Sequence, residues 1–182
     1  MDFLRASTHF KGICFLDRDG TLNENTGYPH RREELILLEG VGRAIQFLNK
    51  NQIGTVVVTN QSGVGRGYFS LEAMHNFNHG IDEALQKEDA YIDLWRYCPH
   101  HPDDHCLCRK PKTGMIDDIL DQLRVPHFFV GDARGDMLCA KNAKSLPIAL
   151  ANTAAAEVPD VYIASNLLSA AKYVVAYINN LS

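Results

Sequence analysis

The feature that most constrains the fold of this chain is a series of short apolar runs that alternate with longer segments of helical periodicity. Short apolar runs between turn signals are typical of buried strands, whereas apolar residues about three to four positions apart are typical of helices. Strands and helices that alternate in this way form a parallel sheet with helices on both faces. The predicted strands are Gly12 to Leu16, Gly54 to Val58, Ile92 to Tyr97, Phe128 to Val130 and Leu146 to Leu150.

The segments between these strands predict a doubly wound α/β fold, in which helices cover a mainly parallel, Rossmann-like sheet. Ser70 is a suitable N-cap for a predicted helix from Leu71 to Lys87, because its hydroxyl can accept a hydrogen bond from a free backbone N–H. The Ala-rich stretch Ala149 to Ala156 is interpreted as a surface loop. The predicted helices are Val41 to Lys50, Leu71 to Lys87, Met115 to Leu123 and Leu167 to Ile178.

The length and charge of the chain limit the classes of protein it can be. A chain of 182 residues, 46% of them hydrophobic, can bury one substantial core, so residues 1–182 are expected to form a single domain. The 22 acidic residues outnumber the 18 basic residues, the net charge is -4, and the sequence has no basic stripe interleaved with aromatic residues. We therefore expect no nucleic-acid partner.

The sequence also gives no indication of a secreted or membrane protein. The first residues, Met1 to Lys11, include charged side chains where a signal peptide would need an unbroken apolar stretch. No apolar run reaches the length of about 18 residues that a transmembrane helix requires. We therefore expect a cytoplasmic monomer with no membrane partner.

Two carboxylates follow the first predicted strand. Asp17 and Asp19 lie on the same side of an extended chain, so both can face one ligand, and Gly20 permits the turn that follows. Two like charges this close require a cation, or one of them must hold a proton, which suits a pair that divides the roles of nucleophile and general acid. The alternative is a solvated loop with two aspartates, and the pair by itself leaves both interpretations open.

Polar residues also follow the second and fourth predicted strands. Because ligands bind beyond the carboxyl ends of parallel strands, we expect these residues to share one site with the carboxylates of the first strand. Taken singly, a strand-end threonine can cap a turn, and Lys110 can be a solvated surface lysine. The residues are Thr59 and Asn60 after the second strand, and Gly131, Asp132 and Asp136 after the fourth.

Taken together and in this order, the segments resemble the motifs of the haloacid dehalogenase superfamily of phosphatases. The resemblance spans most of the chain, from about Cys14 to about Asp136, and it implies the α/β fold of that superfamily with a minimal cap over the active site. The segments are Asp17-Arg18-Asp19-Gly20-Thr21, Thr59-Asn60, Lys110, and Gly131-Asp132 with Asp136.

The resemblance also implies a role for each of these residues in hydrolysing a small phosphate ester. Asp17 would be the nucleophile that attacks phosphorus, and Asp19 would be the general acid and base. Mg²⁺ would be bound by the side chains of Asp17 and Asp132 and by the backbone carbonyl of Asp19. The remaining roles would be phosphate binding by Thr59 and Asn60, a positive charge from Lys110, and support of the lysine or the metal by Asp136.

A second cluster lies between the third strand and Lys110. Cys98, His100, Cys106 and Cys108 provide four ligands within eleven residues, which is enough for a closed tetrahedral zinc site. Such a site has no open position, so the zinc would be structural and would hold the loop that presents Lys110. Dense cysteines of this kind favour a metal site in a reducing compartment over a disulfide framework. The alternatives are free thiols in a flexible loop, or His101 or His105 as the histidine ligand.

The spacing of these ligands resembles the histidinol-phosphatase-related branch of the superfamily, whose members carry a zinc loop of this kind. In that comparison His100 alone fits the Cys-x-His pattern. Members of the branch act on histidinol phosphate or on a heptose bisphosphate, and the segments Thr59 to Gly67 and Gly27 to His30 look more like those that act on the heptose. The resemblance therefore implies removal of a heptose 7-phosphate during synthesis of precursors for surface polysaccharide, with histidinol phosphate as the alternative substrate.

A bisphosphate substrate has a second phosphate that must be neutralised away from the reacting one. Arg109, and Arg66 on the glycine-rich loop Gly63 to Gly67, could bind this second phosphate. A cationic amino alcohol would instead favour carboxylates, and Asp103 and Asp104 are available near the cysteines.

One position departs from the pattern of the heptose phosphatases. After Gly131-Asp132 those relatives have a lysine, whereas this chain has Ala133 followed by Arg134. The role of that lysine in phosphate binding is therefore not carried over to this chain, and Arg134 could compensate for its absence.

Overall fold

The computed structural model describes residues 9–122 and 124–181, in which strands and helices alternate as predicted. Leu123, at the end of a predicted helix, and residues 1–8 of the polar N-terminal stretch lie outside the described residues. The strands are β1 Gly12–Leu16, β2 Ile53–Asn60, β3 Leu94–Cys98, β4 His127–Gly131, β5 Leu146–Leu150 and β6 Tyr162–Ala164. The α-helices are α1 Val41–Lys50, α2 Ser62–Gly65, α3 Leu71–Gln86, α4 Asp117–Gln122, α5 Arg134–Asn142 and α6 Leu167–Asn179.

The strands form one parallel sheet in the order β3-β2-β1-β4-β5-β6. β1 lies in the middle, with Leu16 opposite Val57 of β2 and Val130 of β4. The chain runs outward from β1 to β3 and then returns to β4 on the other side, so the strand order reverses between β1 and β4. The crevice at such a reversal, beyond the carboxyl ends, is the usual ligand site of an open parallel sheet. The predicted doubly wound α/β fold is confirmed.

The two faces of the sheet pack against different helices. Alternate residues of β1 point to opposite faces, so Cys14 and Leu16 pack with α1, α3 and α6, whereas Ile13 and Phe15 pack with α4 and α5. All four side chains are at most 1% exposed. Because helices cover both faces, β1 is an unbroken apolar run without polar alternation. No helix in the described parts of the chain combines the length and the apolar character needed to cross a bilayer.

The observed elements agree best with the prediction where the sequence of the element itself carries a strong signal for a helix or a strand. Ser70 caps α3 by accepting a hydrogen bond from the backbone N–H of Ala73 (3.1 Å), as its position predicts. Strand β6 and helix α5 are absent from the sequence prediction. β6 is a three-residue strand at the sheet edge, and α5 begins with Arg134-Gly135-Asp136, which shows no apolar periodicity.

The interpretation of Ala149 to Ala156 as a surface loop holds for residues 151–154, where Asn152 and Ala154 are exposed, but it is wrong at Ala149 and Ala155. Ala149 belongs to β5, Ala155 lies in a short 3-10 helix, and both are fully buried with Met137 of α5 and Val158. At these two buried positions the small side chains allow close packing against α5.

Candidate active site and metal-binding loop

Three carboxylates from two distant parts of the chain meet at the carboxyl ends of the central strands. Asp17 follows β1, Asp132 follows β4, and Asp136 lies in the first turn of α5. One oxygen of each lies within 4.8 Å of the others. The structure therefore brings most of the predicted site residues to one cleft of about 280 Å³. Its other lining residues are Asp19, Asn25, Gly27, Tyr28, Thr59, Asn60, Gln61, Lys110, Ala133 and Gly135.

Lys110 lies inside this group of carboxylates and not on the solvated surface. Its ammonium donates to Asp17 Oδ1 (2.7 Å), to Asp136 Oδ1 (2.7 Å) and to the backbone carbonyl of Val58 (2.6 Å). Only 6% of the residue is exposed. Since each of its three protons has an acceptor, the ammonium is held as a positive charge directly beside Asp17.

The charges of this group do not balance. Ionised Asp17, Asp132 and Asp136 would outnumber the single ammonium of Lys110 by two. Burial and the charge of Asp136 raise the pKa of Asp17 to about 8 despite the nearby Lys110, and they raise the pKa of Asp132 to about 6. Burial by itself would lower the pKa of Lys110, but Asp136 and Asp17 raise it above its ordinary value. A divalent cation would neutralise the excess negative charge.

The oxygen atoms of the group fit a hard divalent cation such as Mg²⁺. Asp132 Oδ1 is buried and has no hydrogen-bond partner within the described residues. Asp136, in contrast, uses Oδ1 for Lys110 and Oδ2 for the backbone N–H of Ala133 (2.9 Å). Carboxylate oxygens are the ligands that Mg²⁺ prefers, so Asp17 and Asp132 can bind it, whereas Asp136 supports Lys110 and the start of α5.

Gly20 allows the loop after β1 to pass directly against Asp132. Its φ of +85° is unfavourable for residues with a Cβ, and a Cβ built there would lie 2.1 Å from Asp132 Oδ2. Glycine is therefore required at this position both for the backbone conformation and for the space that the carboxylate occupies.

The carboxylate of Asp19 faces the same cleft but has different partners. Its Oδ1 accepts from Arg18 Nε (2.9 Å) and Asn23 Nδ2 (3.0 Å), and its Oδ2 accepts from Arg18 Nη2 (2.9 Å) and Gln61 Nε2 (2.9 Å). Gln61 also donates to Thr59 Oγ1 (2.8 Å), which leaves the hydroxyl proton of Thr59 free to meet a substrate oxygen. Asp19 is therefore oriented by three side chains, although its own side chain remains 17% exposed.

Arg18, Asn23 and Gln61 are the residues of this network that sequence reasoning misses. Their polarity beside the strand-end motifs is the only signal that the sequence offers for them. Which of these side chains turns toward Asp19 depends on how the segments pack together, and no local pattern encodes that packing.

Several predicted phosphate-binding groups lie outside the cleft. Neither Arg66 nor Arg109 lines the cleft that contains Asp17. Arg66 is exposed at the end of α2, whereas Arg109 has a buried Nη1 with no hydrogen-bond partner in the described parts of the chain. Ala133 lines the cleft, but Arg134 is exposed and is not among its lining residues. The structure thus brings none of these three arginines into the space beside the carboxylates.

The glycine-rich loop Gly63 to Gly67 is buried at Gly63 and exposed from Gly65 to Gly67. It contains most of helix α2, and the backbone N–H of Gly65 donates to the carbonyl of Pro99 (2.8 Å). A Cβ at Gly65 would lie 2.4 Å from the backbone nitrogen of His101. The glycine therefore serves the close approach of α2 to the segment that contains the cysteines.

The second predicted site is also assembled in the structure. One ligand atom from each of Cys98, His100, Cys106 and Cys108 lies within 4.8 Å of the others. The Sγ atoms lie 3.2 to 3.5 Å apart, and His100 Nδ1 lies 3.1 Å from Cys108 Sγ and 3.6 Å from Cys98 Sγ. Three thiols and one imidazole nitrogen that converge in this way fit a tetrahedral Zn²⁺ with Nδ1 as the histidine ligand.

The two other histidines of this loop have different surroundings. His101 Nδ1 accepts from the backbone N–H of Asp103 (3.2 Å) at the start of a 3-10 helix, Pro102–Asp104. His105 is exposed and has a φ of 48°. Of the three candidates, the structure groups His100 with the cysteines.

The candidate metal-binding loop, residues 98–108, is followed two residues later by Lys110 of the cleft. Cys98 is the last residue of β3 and pairs with Asn60 at the end of β2. Asn60 exchanges two hydrogen bonds with the backbone of Lys110, donating from Nδ2 to the carbonyl (3.2 Å) and accepting at Oδ1 from the N–H (3.0 Å). Lys110 is therefore positioned both by the loop that precedes it and by Asn60.

The chain is similar to several known phosphatases. A family model described as polynucleotide kinase 3 phosphatase matches residues 12–166. A D-glycero-beta-D-manno-heptose-1,7-bisphosphate 7-phosphatase of Haemophilus ducreyi is 38% identical over 143 residues, which cover 73% of this chain and 79% of the relative. The enzyme of that name from Escherichia coli K12 is 38% identical over 136 residues, which cover 69% of this chain and 71% of the relative.

A solved structure gives the same similarity in three dimensions. It is a crystal structure of D,D-heptose 1,7-bisphosphate phosphatase from B. bronchiseptica complexed with magnesium and phosphate. The alignment covers 91% of this chain and 99% of that chain, with 28% sequence identity and a TM-score of 0.82. Most of the fold, and not only the motif segments, therefore has a counterpart in that phosphatase.

Proposed function

The chain belongs to the polynucleotide kinase 3 phosphatase family of haloacid dehalogenase-type phosphatases, and from this premise we propose that it removes the 7-phosphate of D-glycero-D-manno-heptose 1,7-bisphosphate. This substrate is named for relatives that are 38% identical and for a solved structure that covers 91% of the chain. The proposed enzyme is a cytoplasmic, single-domain monomer that supplies heptose precursors for lipopolysaccharide or another surface polysaccharide. A reduced cysteine cluster is consistent with that compartment.

The observation that best supports phosphoryl transfer is the position of Lys110 between Asp17 and Asp136. The ammonium lies 2.7 Å from an oxygen of each carboxylate, at the carboxyl ends of the central strands. A phosphate dianion repels an anionic nucleophile, so a positive charge beside the attacking carboxylate lowers the barrier. This arrangement favours Asp17 as the nucleophile.

In the proposed first step, a carboxylate oxygen of Asp17 attacks phosphorus and the bond between phosphorus and the C7 oxygen breaks. The departing oxygen takes a proton from Asp19, so the sugar leaves as an alcohol. Lys110 and the hydroxyl of Thr59 stabilise the charge on the phosphoryl oxygens during the transfer. The products of this step are an aspartyl-phosphate on Asp17 and an ionised Asp19.

In the second step, Asp19 acts as the base. It removes a proton from water, the water oxygen attacks phosphorus, and the bond between phosphorus and the Asp17 oxygen breaks. Inorganic phosphate is released, and both carboxyl groups return to their starting protonation states. The side chains of Arg18, Asn23 and Gln61 hold Asp19 toward the cleft in the meantime.

The two metal sites have different proposed roles. Mg²⁺ bound by the carboxylates of Asp17 and Asp132 and the backbone carbonyl of Asp19 would neutralise charge on the phosphate and on the carboxylate group. Zn²⁺ would be structural, because the proposed ligands Cys98, His100, Cys106 and Cys108 leave no position for a substrate.

The second phosphate of the substrate needs a cation outside the carboxylate group. We propose Arg109, which precedes Lys110 and has a buried Nη1 without a partner within the described residues. Neither arginine lines the cleft, and Arg66 stays the weaker prediction because it is exposed at the end of α2. Asn60 contributes indirectly, since its side chain is engaged with the backbone of Lys110.

The test is a substrate panel measured with and without Mg²⁺. The panel comprises the heptose 1,7-bisphosphate, histidinol phosphate, and an oligonucleotide with a 3′-phosphate to represent the family's description. We expect kcat/KM for the heptose bisphosphate to exceed that for the other two by about 10²-fold or more, because buried polar groups discriminate strongly between substrates. Preferential hydrolysis of histidinol phosphate or of the oligonucleotide would overturn the substrate assignment, and full activity without Mg²⁺ would overturn the metal role.

A further inference from the structure

Arg18 is a buried charge that the proposed chemical steps do not consume. Its relative exposure is 0%, and it has the largest volume of the fully buried side chains among the described residues. Burying a guanidinium costs free energy unless the group is paired and hydrogen-bonded, and even a paired one contributes little net stability. A buried arginine in the loop that contains Asp17 and Asp19 therefore calls for an explanation other than core packing.

The guanidinium binds Asp19 in a fork. Nε donates to Oδ1 and Nη2 donates to Oδ2, both at 2.9 Å. Two parallel hydrogen bonds restrict the rotation of a carboxylate in a way that one bond, or the point charge of a lysine, does not. Without Arg18, Asp19 would keep one side-chain donor at each oxygen, from Asn23 and from Gln61.

Arg18 also determines the orientation of Gln61. Arg18 Nη2 can only donate, so the oxygen of the Gln61 amide must face it (3.1 Å) and the NH₂ must face Asp19 and Thr59. A flipped amide would place two donors against each other. Arg18 thus acts on Asp19 both directly and through Gln61.

The guanidinium is itself held by two other parts of the chain. Nη1 donates to Asn78 Oδ1 of α3 (3.0 Å), and Nη2 donates to the carbonyl of Pro29 (2.9 Å). Its Cζ lies 4.7 Å from the ring centroid of Phe77, which adds a cation–π contact. Arg18 does not line the cleft, so any effect on the reaction passes through the two cleft residues that it contacts, Asp19 and Gln61.

We propose that Arg18 is the positioning residue for Asp19, and that it ties the orientation of this acid–base carboxylate to helix α3 and to the loop at Pro29. The inference rests on the proposed function, in which Asp19 protonates the leaving oxygen. An Asp19 held only by Asn23 and Gln61 would rotate more widely and would donate its proton from the wrong place. The defect would appear in the cleavage of esters whose leaving group needs that proton, and not in every phosphoryl transfer.

The test compares two esters with Arg18→Lys. The leaving group of the heptose bisphosphate is the sugar C7 alkoxide, which needs protonation, whereas the leaving group of 2,4-dinitrophenyl phosphate is a stable phenolate. Because general acid catalysis contributes about 10² to 10⁴-fold, we expect kcat/KM to fall about 10²-fold with the heptose bisphosphate and about threefold or less with the dinitrophenyl ester. kcat/KM is the appropriate quantity because it reports the step in which the leaving group departs.

Two further variants complete the experiment. Asn78→Ala removes one acceptor of Arg18 without touching Asp19, and we expect the same selective loss at about tenfold. If Arg18→Lys does not fold, Asn78→Ala is used for the test instead, after its folding has been verified by circular dichroism. Arg43→Lys makes the same substitution at an exposed arginine of α1 and should leave both rates unchanged.

Equal losses with both esters in Arg18→Lys or Asn78→Ala, or no loss with either ester, would overturn the proposal, because a purely structural role does not distinguish leaving groups. The proposed function fails separately from this inference. A wild-type protein that hydrolyses neither ester contradicts the phosphatase assignment, whereas a wild type that hydrolyses both, together with a uniform loss in the variants, contradicts only the role of Arg18.

Discussion

The two clusters of potential metal ligands in this protein are built in opposite ways. Cys98, His100, Cys106 and Cys108 belong to one loop of eleven residues. The carboxylates of Asp17 and Asp132 are more than a hundred residues apart and meet only because β1 and β4 are neighbours in the sheet. The first cluster needs little more than the closure of its own loop, whereas the second exists only in the folded sheet.

The surroundings of the two clusters differ as well. The carboxylate group contains a buried ammonium and an excess of negative charge, whereas the cysteine cluster lies in a loop with an exposed His100 and a Leu107 that is 78% exposed. The comparison suggests a division of labour. Changes in the carboxylate group should alter the chemistry more than the fold, and changes in the loop should alter the fold more than the chemistry.

The largest expected effect, and the strongest test of this division, is the loss of activity in Asp17→Asn. Asparagine has nearly the same volume but is not a nucleophile, so we expect kcat to fall at least about 10⁴-fold. Lys110 keeps Asp136 and the Val58 carbonyl as acceptors, so the melting temperature should change by no more than about 3 °C. Steady-state assays and thermal melts measure the two quantities.

Asp121→Asn, at an exposed position of α4, is the matched control and should change neither quantity. An Asp17→Asn protein that keeps a few per cent of its activity would contradict covalent catalysis. A large fall in its melting temperature would show that the carboxylate group also stabilises the fold, and the division would then be wrong.

The next effect is the response of the loop to loss of a zinc ligand. His100→Ala should remove bound zinc and lower the free energy of unfolding by about 3 kcal/mol, because metal binding and folding of such a loop are coupled. His105→Asn should retain zinc and stability, since this residue is exposed and asparagine tolerates a φ of 48°. Metal content by mass spectrometry and chemical denaturation check both variants, and equal zinc content in the two would refute the assigned ligand.

A smaller effect is expected at Gly20, because its backbone lies directly against the carboxylate of Asp132. Gly20→Ala places a Cβ where Asp132 Oδ2 now lies and should lower kcat/KM about 10²-fold by displacing that carboxylate. Gly67→Ala is the control, because this glycine also has a positive φ of +71°, nothing lies within 4 Å of the added Cβ, and it does not line the cleft. Similar losses of activity in both variants would attribute the effect to backbone strain and not to Asp132.

The last prediction concerns pH, where each single pH unit has a smaller effect than the substitutions, and it tests the electrostatics of the carboxylate group. Burial and the charge of Asp136 raise the pKa of Asp17 to about 8 in the metal-free protein, above its unfolded value of about 4. The folded state therefore binds more protons than the unfolded state between these values, and the contribution of Asp17 to stability should decrease as pH rises through this range.

Mg²⁺ requires the ionised carboxylate, so its binding should release a proton and its apparent Kd should fall about tenfold per pH unit between about pH 6 and 8. Calorimetric titrations with Mg²⁺ at pH 6, 7 and 8 measure this dependence. A Kd that does not change across this range would contradict the raised pKa of Asp17.

The same difference between local and distant contacts explains how much of the molecule can be predicted from its sequence. The bounds of β1, α1 and β5 agree with the prediction because each element has its own apolar period and turn signals. Lys110 and the strand-end residues Asp17, Thr59 and Asp132 line one cleft, as the motif order predicts, since the carboxyl ends of parallel strands lie at one edge of the sheet.

What the sequence does not reveal is the network around Asp19. The bond from Arg18 to Asn78 joins residues sixty positions apart and depends on how α3 docks, and the bond from Gln61 to Asp19 depends on the pairing of β1 with β2. The positions of Arg66 and Arg109 outside the cleft are likewise set by packing and not by local pattern. Side-chain orientation across segments is the part of the site that only the tertiary structure supplies.

The double support of Lys110 has a consequence for cells that are short of zinc. Because Asn60 binds the backbone of Lys110 independently of the cysteines, we expect a molecule without zinc to turn over substrate at close to its normal speed for as long as it stays folded. Degradation would act on the destabilised molecules, so scarcity of this trace element would reduce the abundance of the enzyme and not the speed of each copy.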